Sequence, residues 1–91
     1  MNSHMPPAAS VLLALFDLSR VGIAADVHRV AGRLGLSIAQ VRHALVALEE
    51  RRLADAQNVR LSMPGLALAT VLDARRTEQR RESARRDSAA A

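Results

Sequence analysis

Few side chains in this sequence of 91 residues could carry out covalent or metal chemistry. The absence of cysteine excludes disulfides, thiolate zinc sites and cysteine nucleophiles. Ser37 and Ser62 are candidate nucleophiles, but each begins a predicted helix and neither has a glycine-rich oxyanion turn, so both are interpreted as helix caps. Asp26, His28 and His43 are the only plausible metal set, and they lack the closed ligand spacing of a metal site. We therefore expect no catalysis, no metal and no cofactor.

Ser37 lies at the start of the stretch around which the chain is organised. Gln40 follows three residues later, and this spacing predicts a capping box at the start of a helix over 37–51. Just before it, Gly35 suits the left-handed backbone that ends a helix. The helix that it ends has one apolar face, formed at helical spacing by Val27, Val30, Ala31 and Leu34. Two helices joined by this tight, glycine-containing corner form a helix-turn-helix.

The first predicted helix, over 11–19, is apolar on nearly every side, and Ser10 is its candidate N-cap because Pro6 and Pro7 cannot lie inside a helix. Such a helix is buried on more than one side, whereas so small a domain buries only about 60% of its unfolded surface. A second copy of the chain is therefore an expected cover; alternatively, Leu13 and its neighbours are simply exposed. The candidate residues of a homodimer interface are Leu12, Leu13, Phe16, Leu68 and Leu72.

Short β-prone stretches flank the helix-turn-helix. Residues 21–23 are a candidate minor strand, and residues 53–56 and 59–61 can pair as a short hairpin. Ser62 then caps a last helix whose apolar side reaches about Ala74. The sequence thus predicts a mainly α fold with a small β-hairpin, in one domain over 10–74. Residues 1–9 form a lead, of which Met1 to Met5 are typical of a cloning remnant.

The basic charge of the chain is concentrated in its last residues. The net charge is +4; residues 75–91 hold six arginines and three acidic residues, while residues 1–74 hold seven and six. The pentads RRTEQ, RRESA and RRDSA predict a solvated helix end that frays into a disordered tail, or alternatively an arm that contacts phosphates. No apolar run is long enough to span a membrane and no secretory signal is apparent, so a cytoplasmic protein is expected.

Three segments together resemble the winged helix-turn-helix of bacterial regulators of the MarR and ArsR type. Residues 30–37 (VAGRLGLS) are similar to the family's LA..LGLS corner, residues 41–53 to its VSRHLKVLEEAGLV recognition helix, and residues 61–65 (LSMPG) to its LTPKG. The resemblance covers 11–74 and implies a three-helix core, a short wing and a C-terminal helix. The chain departs from the family at Arg52, where glycine is usual, at Val46, where a basic residue is common, and in a wing whose only arginine is Arg60.

The resemblance implies that the first half of the helix over 37–51 enters the major groove of DNA. Arg42 would then donate to guanine and Gln40 would pair with adenine, unless the cap uses Gln40 fully. His43 would contact a base or a phosphate, or simply be solvated. The helix start at Ser37, together with Arg29, Arg33 and Arg60, would hold phosphates. Arg29 and Arg33 could instead pair with Asp26 or simply be solvated. The full candidate DNA-binding set is Ser37, Ile38, Gln40, Arg42, His43, Arg33 and Arg60.

Two functions follow as hypotheses. The first is a small homodimeric transcriptional regulator that reads double-stranded DNA. The second is a winged-helix module that binds a protein partner through Ile38 and Val46 or through the apolar first helix, since a partly apolar outer face suits a protein surface.

Overall fold

The computed structural model describes residues 6–90, and side chains as far as residue 88. Four helices and one two-stranded antiparallel sheet follow each other along this part of the chain. The prediction of a mainly α fold with a small hairpin is confirmed. The interpretation of residues 1–5 as a cloning remnant lies outside the described residues. The elements are α1 (Pro7–Arg20), α2 (Val27–Leu34), α3 (Ile38–Glu50), β1 (Ala54–Asp55), β2 (Arg60–Leu61) and α4 (Met63–Ala90).

The central element is α1, which contacts α2, α3, α4 and β2. It begins at Pro7, so the prediction that Ser10 caps it is wrong. Proline is well tolerated in the first turn of a helix, where its missing N–H costs nothing, and the N–H of Ser10 donates to the Pro6 carbonyl at 3.0 Å. Seven residues of α1 are buried: Val11, Leu12, Leu13, Ala14, Leu15, Phe16 and Leu18.

The structure corrects the view that the chain is too small to cover α1. Leu12, Leu13 and Phe16 are 1%, 3% and 9% exposed within a single chain. The physical reason is that helices lie on several sides of α1 and the hairpin covers a further part. These three residues are therefore already buried without a second copy.

Residues 21–23 form the end of α1 and not a strand. Gly22 adopts a left-handed backbone with φ of +72°. This conformation lets the Gly22 and Ile23 N–H groups donate to the Ser19 and Leu18 carbonyls. The β-prone side chains of Val21 and Ile23 are overridden because glycine permits this local closure of the helix.

The corner between α2 and α3 forms as the sequence predicts. Gly35 ends α2 with φ of +69°. The N–H of Gln40 donates to the Ser37 hydroxyl at 3.0 Å, and the Ser37 N–H donates to the Gln40 side-chain oxygen at 2.8 Å, which completes the capping box. At the other end of α2, the Asp26 carboxylate caps the helix by accepting from the Arg29 N–H at 2.8 Å. Both helices therefore have fixed starting points.

The hairpin follows α3 through a left-handed arginine. Arg52 has φ of +62°, and the Arg52 and Leu53 N–H groups donate to the Glu49 and Leu48 carbonyls. This is the helix end that glycine usually supplies. Ala54 then pairs with Leu61. The hairpin is thus joined directly to the last turn of α3.

The last helix, α4, begins close to the backbone of Leu53. A Cβ added at Gly65 would lie 1.8 Å from the Leu53 carbonyl oxygen. Ser62 caps the helix as predicted, since its hydroxyl accepts from the Gly65 N–H at 3.1 Å and donates to the Arg52 carbonyl at 2.7 Å. The absence of a side chain at residue 65 therefore allows α4 to pack directly against the chain that leaves α3.

The Arg-rich segment over 75–91 was predicted to be a helix end that frays into a disordered tail; in the described residues the helix continues without fraying to Ala90. Residues 75–90 contain no glycine or proline and are rich in good helix formers, so the packed first half of α4 extends without interruption. The part that was predicted correctly is its solvation: side chains 78–88 are all exposed. The helix of 28 residues is about 42 Å long, and its second half projects beyond the core.

Candidate nucleic-acid interface

The outer side of α3 forms an exposed ridge. Val41, Ala44, Leu45 and Leu48 face the core, so the opposite side of this helix presents Ala39, His43, Val46 and Glu50, all of them exposed. Arg42 lies on the flank of the ridge. Within residues 6–88 the Arg42 guanidinium and the His43 ring have no hydrogen-bond or ion-pair partner, so both are free to meet a ligand.

Clefts border the ridge on both flanks. On one side, a cleft of about 600 Å³ separates Gln40 and His43 from the start of α1, where Pro6, Pro7 and Ala8 line it. On the other side, a cleft of about 550 Å³ separates Arg42 and Val46 from the hairpin. The ridge therefore stands clear of its neighbours, as a helix must if it is to enter a groove.

The capping box limits what Gln40 can do. Its side-chain oxygen accepts from the Ser37 N–H, and recognition of adenine by Gln40 would need that oxygen together with the amide nitrogen. The Ser37 hydroxyl is likewise occupied by the Gln40 N–H. The amides of Ile38 and Ala39 have no acceptor in the described part of the chain, so the helix start presents two backbone donors to solvent.

Ile38 is not on the outer ridge. It is half-buried and packs against the core cluster. The reason is its position on the wheel of α3, close to the buried Leu45 and nearly a quarter turn from Ala39. The expectation of an exposed apolar pair of Ile38 and Val46 is therefore wrong, although Val46 itself is 49% exposed.

Arg60 lies on β2, exposed and directly opposite Asp55. The Asp55 carboxylate is engaged in its own turn, where it accepts from the Asn58 side-chain amide at 2.7 Å and from the Gln57 and Asn58 N–H groups. These hydrogen bonds, led by that from the Asn58 side chain, hold the pKa of Asp55 below its usual value. Arg60 makes no ion pair with it within 4.0 Å, so the guanidinium of Arg60 remains available.

Arg33 lies apart from α3, in an ion-pair network that the sequence did not predict. The Arg76 guanidinium of α4 donates two hydrogen bonds to the Asp17 carboxylate, at 2.8 and 3.0 Å, and a further one to Asp73. Arg33 approaches Asp17 at 3.7 Å and Arg20 approaches Asp73 at 3.2 Å. The hydrogen bonds from Arg76 hold the pKa of Asp17 below its usual value, and those carboxylates raise the pKa of Arg76.

One signal in the sequence could have revealed this network. Asp17 is the only charged residue among the apolar positions 11–18 of α1, and a lone acid in a buried helix needs a partner. Nothing in the sequence identifies Arg76 as that partner, because Arg76 belongs to a run of arginines that is typical of a solvent-exposed helix. Its side chain is in fact only 20% exposed, and its Nε–H is buried without an acceptor in the described residues.

The predicted dimer residues divide into two groups. Leu12, Leu13 and Phe16 are covered within one chain. Leu68 on α4 is 39% exposed, while Leu72 is half-buried and packs against the core. Val71, which the sequence-based set omitted, is 50% exposed and lies between them on the helix. Of the five predicted dimer residues, only Leu68 is therefore clearly exposed in a single chain.

No helix in the described chain has the length and apolar character to cross a membrane. In the same residues, no three His, Cys, Asp or Glu side chains lie close enough together to hold a metal ion. No protein-family model, no curated protein and no solved structure matches this chain.

Proposed function

We propose that this chain is a winged helix-turn-helix protein that binds double-stranded DNA in a sequence-specific manner, as a small homodimeric transcriptional regulator of the cytoplasm. The observation that carries the proposal is the exposed ridge of α3. It combines a firmly capped start, unpartnered Arg42 and His43 side chains, and a cleft on each flank. A helix with its side chains is about 10–12 Å across, which suits a major groove about 12 Å wide.

The charges on α3 indicate which end enters the groove. Arg42 and His43 belong to the first half of the helix, whereas Glu49 and Glu50 end it. Phosphates repel those carboxylates, so the first half approaches the bases and the last turn stays near the groove edge. Arg42 is then the side chain suited to a bidentate contact with guanine. Ala39, in the same first half, presents a methyl group that suits a thymine methyl.

Phosphate contacts come from donors around the ridge. The free amides of Ile38 and Ala39 lie at the positive end of α3, where a phosphate oxygen can accept from them. Arg60 extends the contact to the wing. These contacts fix orientation without reading sequence, because every nucleotide carries the same phosphate. Gln40 serves the cap in this proposal and reads no base.

The homodimer would form through α4. Leu68 and Val71 give it an exposed apolar strip, next to the half-buried Leu72. A twofold dimer with recognition helices about 34 Å apart would bind two half-sites of a roughly palindromic duplex. Sedimentation tests this step. Leu68→Gln should shift the protein towards monomer, whereas Met63→Gln, at a more exposed position of the same helix, should not; a wild-type monomer at all concentrations contradicts the dimer.

The DNA proposal is tested by selecting binding sites from random duplexes and then measuring affinity by fluorescence anisotropy at several salt concentrations. The affinity should fall steeply as salt rises, with a slope of about −0.9 per phosphate contact. Arg42→Ala should relax the preference for one base pair, at a cost of about 1–3 kcal/mol on the selected site. Arg60→Ala removes the same charge and should weaken all duplexes alike. Failure of the wild type to bind any duplex in low salt refutes the proposal.

A second candidate is a module that binds a protein partner through the ridge, and the exposure of Val46 at the centre of that ridge is the observation that favours it. The other surfaces expected to bind a protein partner are less suited to it, since Ile38 packs against the core and the apolar side chains of α1 are buried. Val46→Lys separates the two candidates. It should strengthen binding to DNA, because a basic residue next to phosphates adds a contact, and it should abolish an apolar protein contact.

A further inference from the structure

A cleft of about 470 Å³ lies away from the ridge, where the end of α1, α2 and the middle of α4 meet. Charged side chains from all three helices line it. They are four arginines and two aspartates: Arg20, Arg33, Arg76, Arg80, Asp17 and Asp73. No other cleft described in this chain gathers so many guanidinium groups.

Five of these groups form a chain of alternating charge. It runs from Arg20 to Asp73, Arg76, Asp17 and Arg33. Arg76 at its centre is committed to both carboxylates. The arginines at the two ends each make one ion pair, at 3.2 and 3.7 Å, and their side chains are 58% and 48% exposed. Arg20 also lies over the Phe16 ring, 5.3 Å from its centroid. Arg20 and Arg33, at the two ends of this ion-pair network, therefore keep N–H donors that make no ion pair and face solvent.

The cleft has a surplus of positive charge. Arg80 lies one turn after Arg76 on α4 and makes no ion pair in the described part of the chain, so the lining carries a net charge of +2. The nearby end of α1 presents carbonyls, but those of Asp17, Leu18 and Ser19 already accept from the N–H groups of residues 21–23. The negative end of that helix is therefore partly neutralised.

We propose that this cleft binds a phosphate group. A guanidinium donates two parallel hydrogen bonds to a phosphate, and a dianion would balance the net charge of the lining. Arg20 and Arg80 are the primary ligands, because Arg80 makes no ion pair in the described residues and Arg20 makes a single, exposed one. The Thr77 hydroxyl on the same wall is a further donor. Arg33 joins them by leaving its loose contact with Asp17. Arg76 keeps its hydrogen bonds to Asp17 and Asp73 when the phosphate binds, so it holds both carboxylates in place.

The phosphate can come from two sources. One is the backbone of a duplex held by α3, and this source rests on the proposed function above. The other is a free phosphorylated small molecule, which would make the cleft an effector site independent of DNA. Both sources would bind to the same arginines of the cleft. They differ in one expected result: replacement of Arg20 and Arg80 weakens DNA binding only if the phosphate belongs to the duplex.

The test is the double variant Arg20→Gln/Arg80→Gln, compared with Arg85→Gln/Arg86→Gln, which removes the same charge from the projecting half of α4. Inorganic phosphate is titrated into each protein at constant ionic strength, and amide shifts are followed by NMR. We expect saturable shifts at Val21, Thr77 and their neighbours in the wild type and in the control. The Arg20/Arg80 variant should bind phosphate at least tenfold more weakly. No saturable shift in the wild type, or equal binding by the two double variants, overturns the proposal.

Binding to the selected duplex then identifies the source. If the cleft holds the DNA backbone, the salt dependence of affinity should lose about one to two phosphate contacts in the Arg20/Arg80 variant and none in the control. An unchanged salt dependence alongside lost phosphate binding supports a free phosphorylated ligand. If the wild type binds no duplex but still binds phosphate at this cleft, the proposed function fails and the phosphate site stands.

Discussion

Substitution of Gly65, at the start of α4, should show how closely that helix packs against the backbone of Leu53. In Gly65→Ala, the new Cβ would lie 1.8 Å from the Leu53 carbonyl oxygen and 2.8 Å from its carbon. Real Cβ contacts essentially never fall below 3.0 Å, so α4 and Leu53 must separate by about 1.2 Å. That movement stretches the 3.1 Å hydrogen bond from the Ser62 N–H to the Leu53 carbonyl beyond bonding distance.

The magnitude follows from three contributions. Overpacking costs about 1–3 kcal/mol, and the lost hydrogen bond costs about 1 kcal/mol. Because alanine has a higher helix propensity than glycine, the substitution also stabilises the folded state by about 1 kcal/mol. We expect the free energy of unfolding to fall by about 2 kcal/mol, which corresponds to a melting temperature lower by roughly 8–16 °C for a domain of this size.

Gly32→Ala is the matched control for this experiment. Gly32 lies inside α2, and nothing lies within 4 Å of the position that its Cβ would take. The same chemical change should therefore stabilise the protein by up to about 1 kcal/mol. Both variants are measured by thermal and urea unfolding followed by circular dichroism. If Gly65→Ala proves neutral or stabilising, the close approach of α4 to Leu53 is refuted.

Three further predictions concern single residues. Asp17→Asn should lower the free energy of unfolding at neutral pH by about 1–3 kcal/mol, because Arg76 loses a charged acceptor. Since Arg76 lowers the pKa of Asp17 in the folded state, this contribution is complete above the unfolded pKa of about 4 and is lost as pH falls through the lower folded value. Urea unfolding of wild type and variant should converge below pH 4; a constant difference contradicts this. Arg52→Gly should raise the unfolding free energy by about 1 kcal/mol, since it removes a side chain from a left-handed backbone, and destabilisation would argue against that strain. Ser37→Ala should cost about 1 kcal/mol through loss of the cap, detectable as a lower urea midpoint, and an unchanged midpoint would mean that the capping box adds no stability.

Local sequence signals predicted the α2–α3 corner well. Gly35 and the Ser37–Gln40 pair act within a few residues of chain, so their geometry follows from backbone preference and short-range hydrogen bonds. Ser62 was predicted for the same reason. The start of α1 was misplaced because proline serves equally well before a helix and in its first turn.

Burial was harder to predict than helix position. The apolar sequence of α1 indicated that it must be covered, but it could not indicate by what. Its own chain proved sufficient, because β2 and α4 return to it after an intervening 39 residues or more. Ile38 is a different case, because its position on the wheel of α3, close to the buried Leu45, is a local property that the sequence contains.

The sequence by itself determined the corner between α2 and α3, the caps at Ser37 and Ser62, and which side of α3 is apolar, because these properties depend on neighbours one or two turns away. Only the tertiary structure decided which residues that are distant in sequence contact each other, because no local pattern contains this information. It brought Arg76 to Asp17 across 59 positions of chain, gathered Arg20, Arg33 and Arg80 around them, and placed Gly65 against Leu53. The physical reason is that contacts between distant residues depend on how the helices pack, and this packing is a property of the whole chain.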